Sequence, residues 1–275
     1  MNLTQATVPF KGSSFNALLT IAILTFCITP VARLKAQPTQ PNPAYNQAKP
    51  SNIITNSNLS MPPISVGAEN TAAYWSIIRN QRVGIVANPT SKIGNVHLID
   101  TLKSRGLNIT GVFAPEHGFR GDAENGAHIH NDVDAKTGLK IISLYGKHVK
   151  PTAEDLKNMD VVIFDIQDVG TRFYTYLTTL HYVMQACADN NKPLIVLDRP
   201  NPNGFYVDGP VLDTAFKSFI GMQPIPVVYG MTIGEYAKMI NGEKWLKGEA
   251  QCKLTVIPCE NYNRTMFYDL LVKPS

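Results

Sequence analysis

The chain has 275 residues, 44% of them hydrophobic, which excludes a disordered chain and leaves room for one large domain or two small ones. Its 25 Lys+Arg and 21 Asp+Glu give a net charge of +4, but the first 36 residues hold Lys11, Arg33 and Lys35 and no acid, so the remainder is close to neutral at +1. Without a run of Lys or Arg, such a chain lacks the electrostatic footprint of a nucleic-acid binder.

Residues 1–36 read as an export signal: Lys11 precedes an uncharged apolar run from Phe15 to Ala32, and the small residue Ala36 closes it. The rival readings are an uncleaved membrane anchor and a lipoprotein signal cut at Cys27. Phe26 argues against the second, because a small residue is wanted before a lipidated Cys. The expected destination is the periplasm or the medium, with no stable membrane partner unless the segment stays attached. Residues 37–65 read as a flexible tether, since six prolines fall between Gln37 and Pro63 and Lys49 is the only charge there. The domain expected to follow covers 66–275. Cys187, Cys252 and Cys259 are an odd set that cannot all pair. If the run between Cys252 and Cys259 is a strand, their Cα atoms lie roughly 23 Å apart at ~3.3 Å per residue, too far for a disulfide. No zinc spacing occurs, and no metal is expected.

Short apolar runs alternate with segments of helical period, the pattern of strands buried on both faces by crossover helices, so the class is α/β. Expected strands are Arg82 to Asn88, Asn108 to Ala114, Lys140 to Tyr145, Val161 to Gln167, Pro193 to Asp198, Ile225 to Tyr229 and Leu254 to Pro258. Expected helices are Ala68 to Asn80, His97 to Arg105, Thr152 to Met159, Arg172 to Asn190 and Thr232 to Asn241. Thr232 with Glu235 makes a capping box, and Gly242 is read as the stop.

In a parallel sheet all carboxyl ends open on one edge, where ligands of open α/β folds bind. Asn88-Pro89-Thr90, Pro115-Glu116-His117-Gly118-Phe119-Arg120-Gly121, Tyr145-Gly146-Lys147, Asp165 to Arg172, Asp198 to Gly204 and Tyr229 to Thr232 would meet there. Turn residues are ordinary after strands. A Glu-His pair, two acids bracketing a Gln and an Asp-Arg pair, in a chain only 17% charged, ask for more.

There is no GxGxxG, no GxxxxGK[ST] and no GxSxG, so dinucleotide cofactors, P-loop nucleotides and an α/β-hydrolase triad drop out. No cofactor is expected. Carboxylate chemistry remains. Glu116 follows Pro115 and Val112-Phe113-Ala114, surroundings that desolvate a carboxyl and suit it to proton donation; the alternative is a turn residue pairing with Arg120. Asp165, Gln167 and Asp168 cluster at a strand end and can orient a sugar hydroxyl or acetamido group. Arg172 and Arg199 are forked donors for a substrate carboxylate, or partners of Asp168 and Asp198 respectively. Tyr174 and Tyr176 can stack on a sugar ring or pack in the core. His128, His130, Asp132 and Asp134 form a loose HxH-and-acid loop, read as a solvated turn ahead of a metal-dependent hydrolase.

The motifs VGIVANPTS (83–91), FAPEHGFRGD (113–122), DIQDVGTRFYTY (165–176), LDRPNPNG (197–204) and VVYGMTIGEYAKMING (227–242) together resemble the exo-β-N-acetylmuramidase family of peptidoglycan-recycling glycosidases, long listed as a domain of unknown function. The resemblance runs nearly continuously over 75–275. It implies a Rossmann-like, doubly wound and mostly parallel sheet with helices on both faces, and an exported hydrolase that removes terminal N-acetylmuramic acid from muropeptides or disaccharides. It also implies Glu116 as catalytic acid, with Asn88, His117, Arg120, Asp165, Gln167, Asp168, Arg172 and Tyr174 lining the sugar pocket and Asp198, Arg199 and Asn201 on its far side. The family continues past LLVKPS into a second domain, so the 66–275 domain is expected to be a truncated one; a non-catalytic cell-wall binding module is the alternative.

Overall fold

The computed structural model describes residues 62–121 and 132–270, all within one compact unit, Ser57–Ser275. The expected export signal, nearly all of the tether, and His128 and His130 lie outside the described residues.

Continuous apolar runs become the centre of a sheet, because a strand covered on both faces has no polar side. β1 (Val83–Ala87) and β7 (Val161–Asp165) are buried at every position. β4 (Ile109–Ala114), β6 (Lys140–Ser143), β8 (Leu194–Leu197) and β9 (Leu254–Ile257) run parallel to them. The two-residue strand β5 (Asp132–Val133) adds one antiparallel edge, giving the order β5-β6-β4-β1-β7-β8-β9. The parallel strands taken in chain order therefore lie 3-2-1-4-5-6, the doubly wound Rossmann arrangement, with its direction of winding reversing between β1 and β7. A short hairpin, β2 (Lys92–Ile93) with β3 (Val96–His97), follows β1.

Side chains alternate across the sheet. Val83, Ile85, Val161 and Ile163 pack with α1 (Thr71–Ile78) and α2 (Leu98–Ser104); Val86, Val162 and Phe164 pack with α4 (Tyr176–Asp189) and α5 (Ile233–Gly242). Met159, beyond α3 (Ala153–Leu156), lies so close over the sheet that a Cβ on Gly84 would meet its sulfur at 2.2 Å. α4 turns Leu177, Leu180, Val183, Met184 and Cys187 inward at helical spacing. It ends in a Schellman motif: Asn191 takes φ 53°, its N–H donates to Ala188 O, and Lys192 N–H donates to Cys187 O.

Two expectations need correction. Ile225 to Tyr229 is not a sheet strand; Val228 makes only isolated bridges to Thr171 and Asp208. Pro226 interrupts the run and Pro224 precedes it, and proline has no N–H for a ladder. At α5 the left-handed stop is Lys244 (φ 54°), two residues beyond Gly242, which still belongs to the helix.

Candidate active site

The exits of β1, β4, β6, β7 and β8 share one edge because the strands are parallel. Where the winding reverses, the exits are stitched together. Asn88 Oδ1 accepts from Thr90 N–H at 3.0 Å, Thr90 Oγ1 accepts from Gln167 N–H at 3.0 Å, and Ser91 Oγ donates to Asp165 O. Asn88 is fully buried, and its Nδ2 has no hydrogen-bond partner among the described residues.

Beyond β7 and β8 most of the polar groups are spent on one another. Arg199, 5% exposed, donates from Nε and Nη2 to the two oxygens of Asp165, 0% exposed, at 2.6 and 2.9 Å. The Asp198–Arg199 and Asp168–Arg172 ion pairs weighed from the sequence do not form. Asp198 instead accepts from Gly234 N–H at 2.8 Å, Arg199 N–H at 3.0 Å and Thr232 Oγ1 at 2.7 Å. Arg172 donates to the Pro210 and Ile225 carbonyls. Gln167 Nε2 donates to Pro200 O and Asp168 O, and Asn201 Nδ2 to Met231 O. Asn201 also lies against Gly170, where a Cβ would sit 2.1 Å from its Oδ1 and where φ is +80°. Asp168 Oδ2 accepts from Tyr229 Oη and from Gly170 N–H, while its Oδ1 has no partner among the described residues. Burial pushes the Asp168 and Asp198 carboxyls up to about 6.

The β4 exit is built differently. Gly118 N–H donates back to Pro115 O at 3.1 Å, closing a turn over Pro115, Glu116, His117 and Gly118. His117 takes φ 72°, a left-handed conformation that costs a residue with a Cβ about 1–3 kcal/mol. Gly118 and Gly121 follow in the same region. The turn leaves Glu116 half-buried, with Oε2 accepting from Thr175 Oγ1 at 3.5 Å. Thr175 precedes α4 and Tyr145 follows β6; the Glu116 carboxylate raises the Tyr145 phenol above its ordinary value. Arg120 does not pair with Glu116. It donates to both oxygens of Asp100 and of Asp134, and it holds Asp134 well below the usual carboxylate range.

The single crevice expected from the sequence thus resolves into two places on one edge. A cavity of about 170 Å³ at the ends of β1, β7 and β8 is lined by Glu69, Thr90, Lys92, Gln167, Arg199 and Tyr268. Glu116, His117, Tyr145 and Thr175 gather at the ends of β4 and β6. Tyr176 is buried, and Tyr174 packs on it edge to face at 5.8 Å between ring centres. Sequence reasoning did not assign a role to Thr175, Tyr229 or His97. Only the capping box of α5 hinted at the polar cluster around Asp198.

Residues 83–275 match the family described as exo-beta-N-acetylmuramidase NamZ, N-terminal. The peptidoglycan beta-N-acetylmuramidase NamZ of Bacillus subtilis (strain 168) is 41% identical over 220 residues, covering 78% of this chain and 52% of that protein. A crystal structure of a DUF1343 family protein from Bacteroides fragilis is 47% identical with a TM-score of 0.71, covering 78% of this chain and 56% of that one. A second such protein from the same organism is 40% identical with a TM-score of 0.68, covering 74% and 52%. The chain spans about half the length of these relatives.

Proposed function

The chain belongs to the exo-beta-N-acetylmuramidase NamZ N-terminal family, and from that premise we propose that it is the acid-bearing part of an exported glycosidase that frees terminal N-acetylmuramic acid from peptidoglycan fragments. Glu116 is the proposed general acid. One observation carries this assignment: of Glu116, Asp165, Asp168 and Asp198, Glu116 is the only one that is not buried, and its carboxylate meets the Thr175 and Tyr145 hydroxyls. A carboxyl so placed can reach a glycosidic oxygen without first breaking an internal ion pair. The Bacillus relative named as a peptidoglycan beta-N-acetylmuramidase supports the substrate class. His117 stands next to the acid, and at the ends of β1 and β7 the buried atoms Asn88 Nδ2 and Asp168 Oδ1 have no hydrogen-bond partner among the described residues. The apolar run after Lys11 supports export.

The test is release of N-acetylmuramic acid from a MurNAc-GlcNAc disaccharide or a chromogenic muramide. Glu116→Gln is expected to lower turnover by about 10²–10⁴-fold with the urea midpoint unchanged. Wild-type turnover in that variant removes Glu116 from the mechanism. Muropeptide binding with no product from the unaltered protein would favour a cell-wall binding module instead.

A further inference from the structure

At the near end of the loop that carries Glu116, Gly118 N–H donates to Pro115 O and closes a single turn. The far end of the loop is different. Phe119 is 3% exposed, and its carbonyl lies 3.1 Å from Nε2 of His97. The same nitrogen lies 3.1 Å from Asn88 O at the exit of β1. The other ring nitrogen, Nδ1, accepts from Ile99 N–H at 3.3 Å, which makes His97 the N-cap of α2. A nitrogen that accepts from an amide carries no proton, so the ring is the neutral tautomer with its proton on Nε2, shared between two carbonyls. Burial lowers the His97 pKa and so favours that uncharged state. The Phe119 ring completes the contact, edge-on to the imidazole at 5.6 Å. The next residue, Arg120, is bolted to Asp100 in the first turn of the same helix.

We propose that His97 is a positioning residue for Glu116: one imidazole ties the β1 exit and the Glu116 loop to the start of α2, and so sustains the left-handed turn that presents the acid. The proposal rests on the reading of Glu116 as the general acid, but the clamp itself is measurable without turnover. Two variants separate its parts. Asn at 97 keeps a short side-chain acceptor for Ile99 N–H, a good helix cap, but does not reach the Phe119 carbonyl. Gln at 97 carries an N–H donor farther out.

The experiment measures amide hydrogen exchange over 115–121 and steady-state kinetics on the chromogenic muramide, for the wild type, His97→Asn and His97→Gln. In His97→Asn, exchange in that segment is expected to quicken by about tenfold or more while α4 and the sheet stay protected. kcat is expected to fall by about tenfold with KM within about twofold, because an acid out of place is felt in the transition state. His97→Gln is expected to recover most of both losses. Unchanged exchange in His97→Asn overturns the clamp. Quickened exchange with unchanged kcat overturns the positioning role, and equal losses in the two variants reduce His97 to packing. A wild type that releases no muramic acid overturns the glycosidase reading, while the exchange data still decide the clamp. If His97→Asn does not fold, exchange and kcat in His97→Gln decide alone: near wild-type values in both support the clamp, and losses in both overturn it.

Discussion

At the ends of β7 and β8 the acids are buried and bonded: Asp165 holds Arg199, Asp198 holds the start of α5, and Asp168 holds Tyr229. At the end of β4, Glu116 is half-buried beside two hydroxyls on a loop with left-handed backbone at His117, Gly118 and Gly121. The residue types alone do not separate these regions, since both mix acids with arginine beside glycine. What separates them is how far hydrogen-bonding capacity has been used internally: of the three buried carboxylates only Asp168 keeps one oxygen, Oδ1, without a partner among the described residues. A closed lattice fixes the edge of the sheet; chemistry belongs where a carboxyl is still free to meet a new partner.

The sharpest way to break that contrast is to open the closed side. Asp165→Asn leaves the Arg199 guanidinium buried with its counter-charge gone, and a loss of about 3–5 kcal/mol is expected by urea denaturation. Replacing both partners, Asp165→Leu with Arg199→Met, should restore a large part of it, because an apolar pair leaves no stranded charge. If Asp165→Asn kept wild-type stability and lost only substrate release, Asp165 would belong to the working half of the edge and the contrast would collapse.

A smaller effect reads the same lattice through pH. Asp168 and Asp198 have folded values near 6, above the ordinary carboxyl value of about 4. The folded chain therefore binds these protons more tightly than the unfolded one. Their contribution is complete below about pH 4 and is lost as pH rises through about 6. His181, lowered by burial to about 4, works in the opposite direction over much the same window, because there the unfolded chain binds the proton more tightly. The whole-protein profile therefore hides both. Asp168→Asn isolates one carboxyl: an amide can accept from Tyr229 and Gly170 without titrating. The variant should gain on wild type by on the order of 2–3 kcal/mol between pH 4 and 7. Parallel stability curves for the two proteins would show that Asp168 does not titrate in that window.

How much of this was legible beforehand depends on the kind of interaction. The six parallel strands and five α-helices of the described residues follow from local pattern, because burial on both faces writes an unbroken apolar run and α4 writes a helical period. Once the sheet is parallel, the position of Glu116 at its carboxyl edge follows from its place just after β4. The run at Ile225 has a strand's apolar character, but Pro226 lacks the N–H that a ladder requires. The hairpin of β2 and β3 carries only two residues per strand, although Gly94-Asn95 is a turn signal. Partner choice was not legible at all. Arg199 passes over its neighbour Asp198 for Asp165, 34 residues away, because the register of β7 against β8 decides which carboxylate faces it. His97 likewise looks like any lone histidine before an apolar run until the fold brings Phe119 O to its ring.

The smallest test bears on how the closed side is anchored. Thr232 has two tasks: its Oγ1 accepts from Glu235 N–H as the N-cap of α5, and it donates to Asp198 Oδ2 at 2.7 Å. Thr232→Ala removes both and should cost about 1–2 kcal/mol in denaturant, with Thr232→Ser, which keeps the hydroxyl, near wild type. Because Asp198 retains its bonds from Gly234 N–H and Arg199 N–H, the carboxyl should stay in place and muramide turnover should hardly move. A fall in turnover as large as that of Glu116→Gln would mean that the β8 exit feeds directly into the reaction, and that bonded side chains on this edge are not spent.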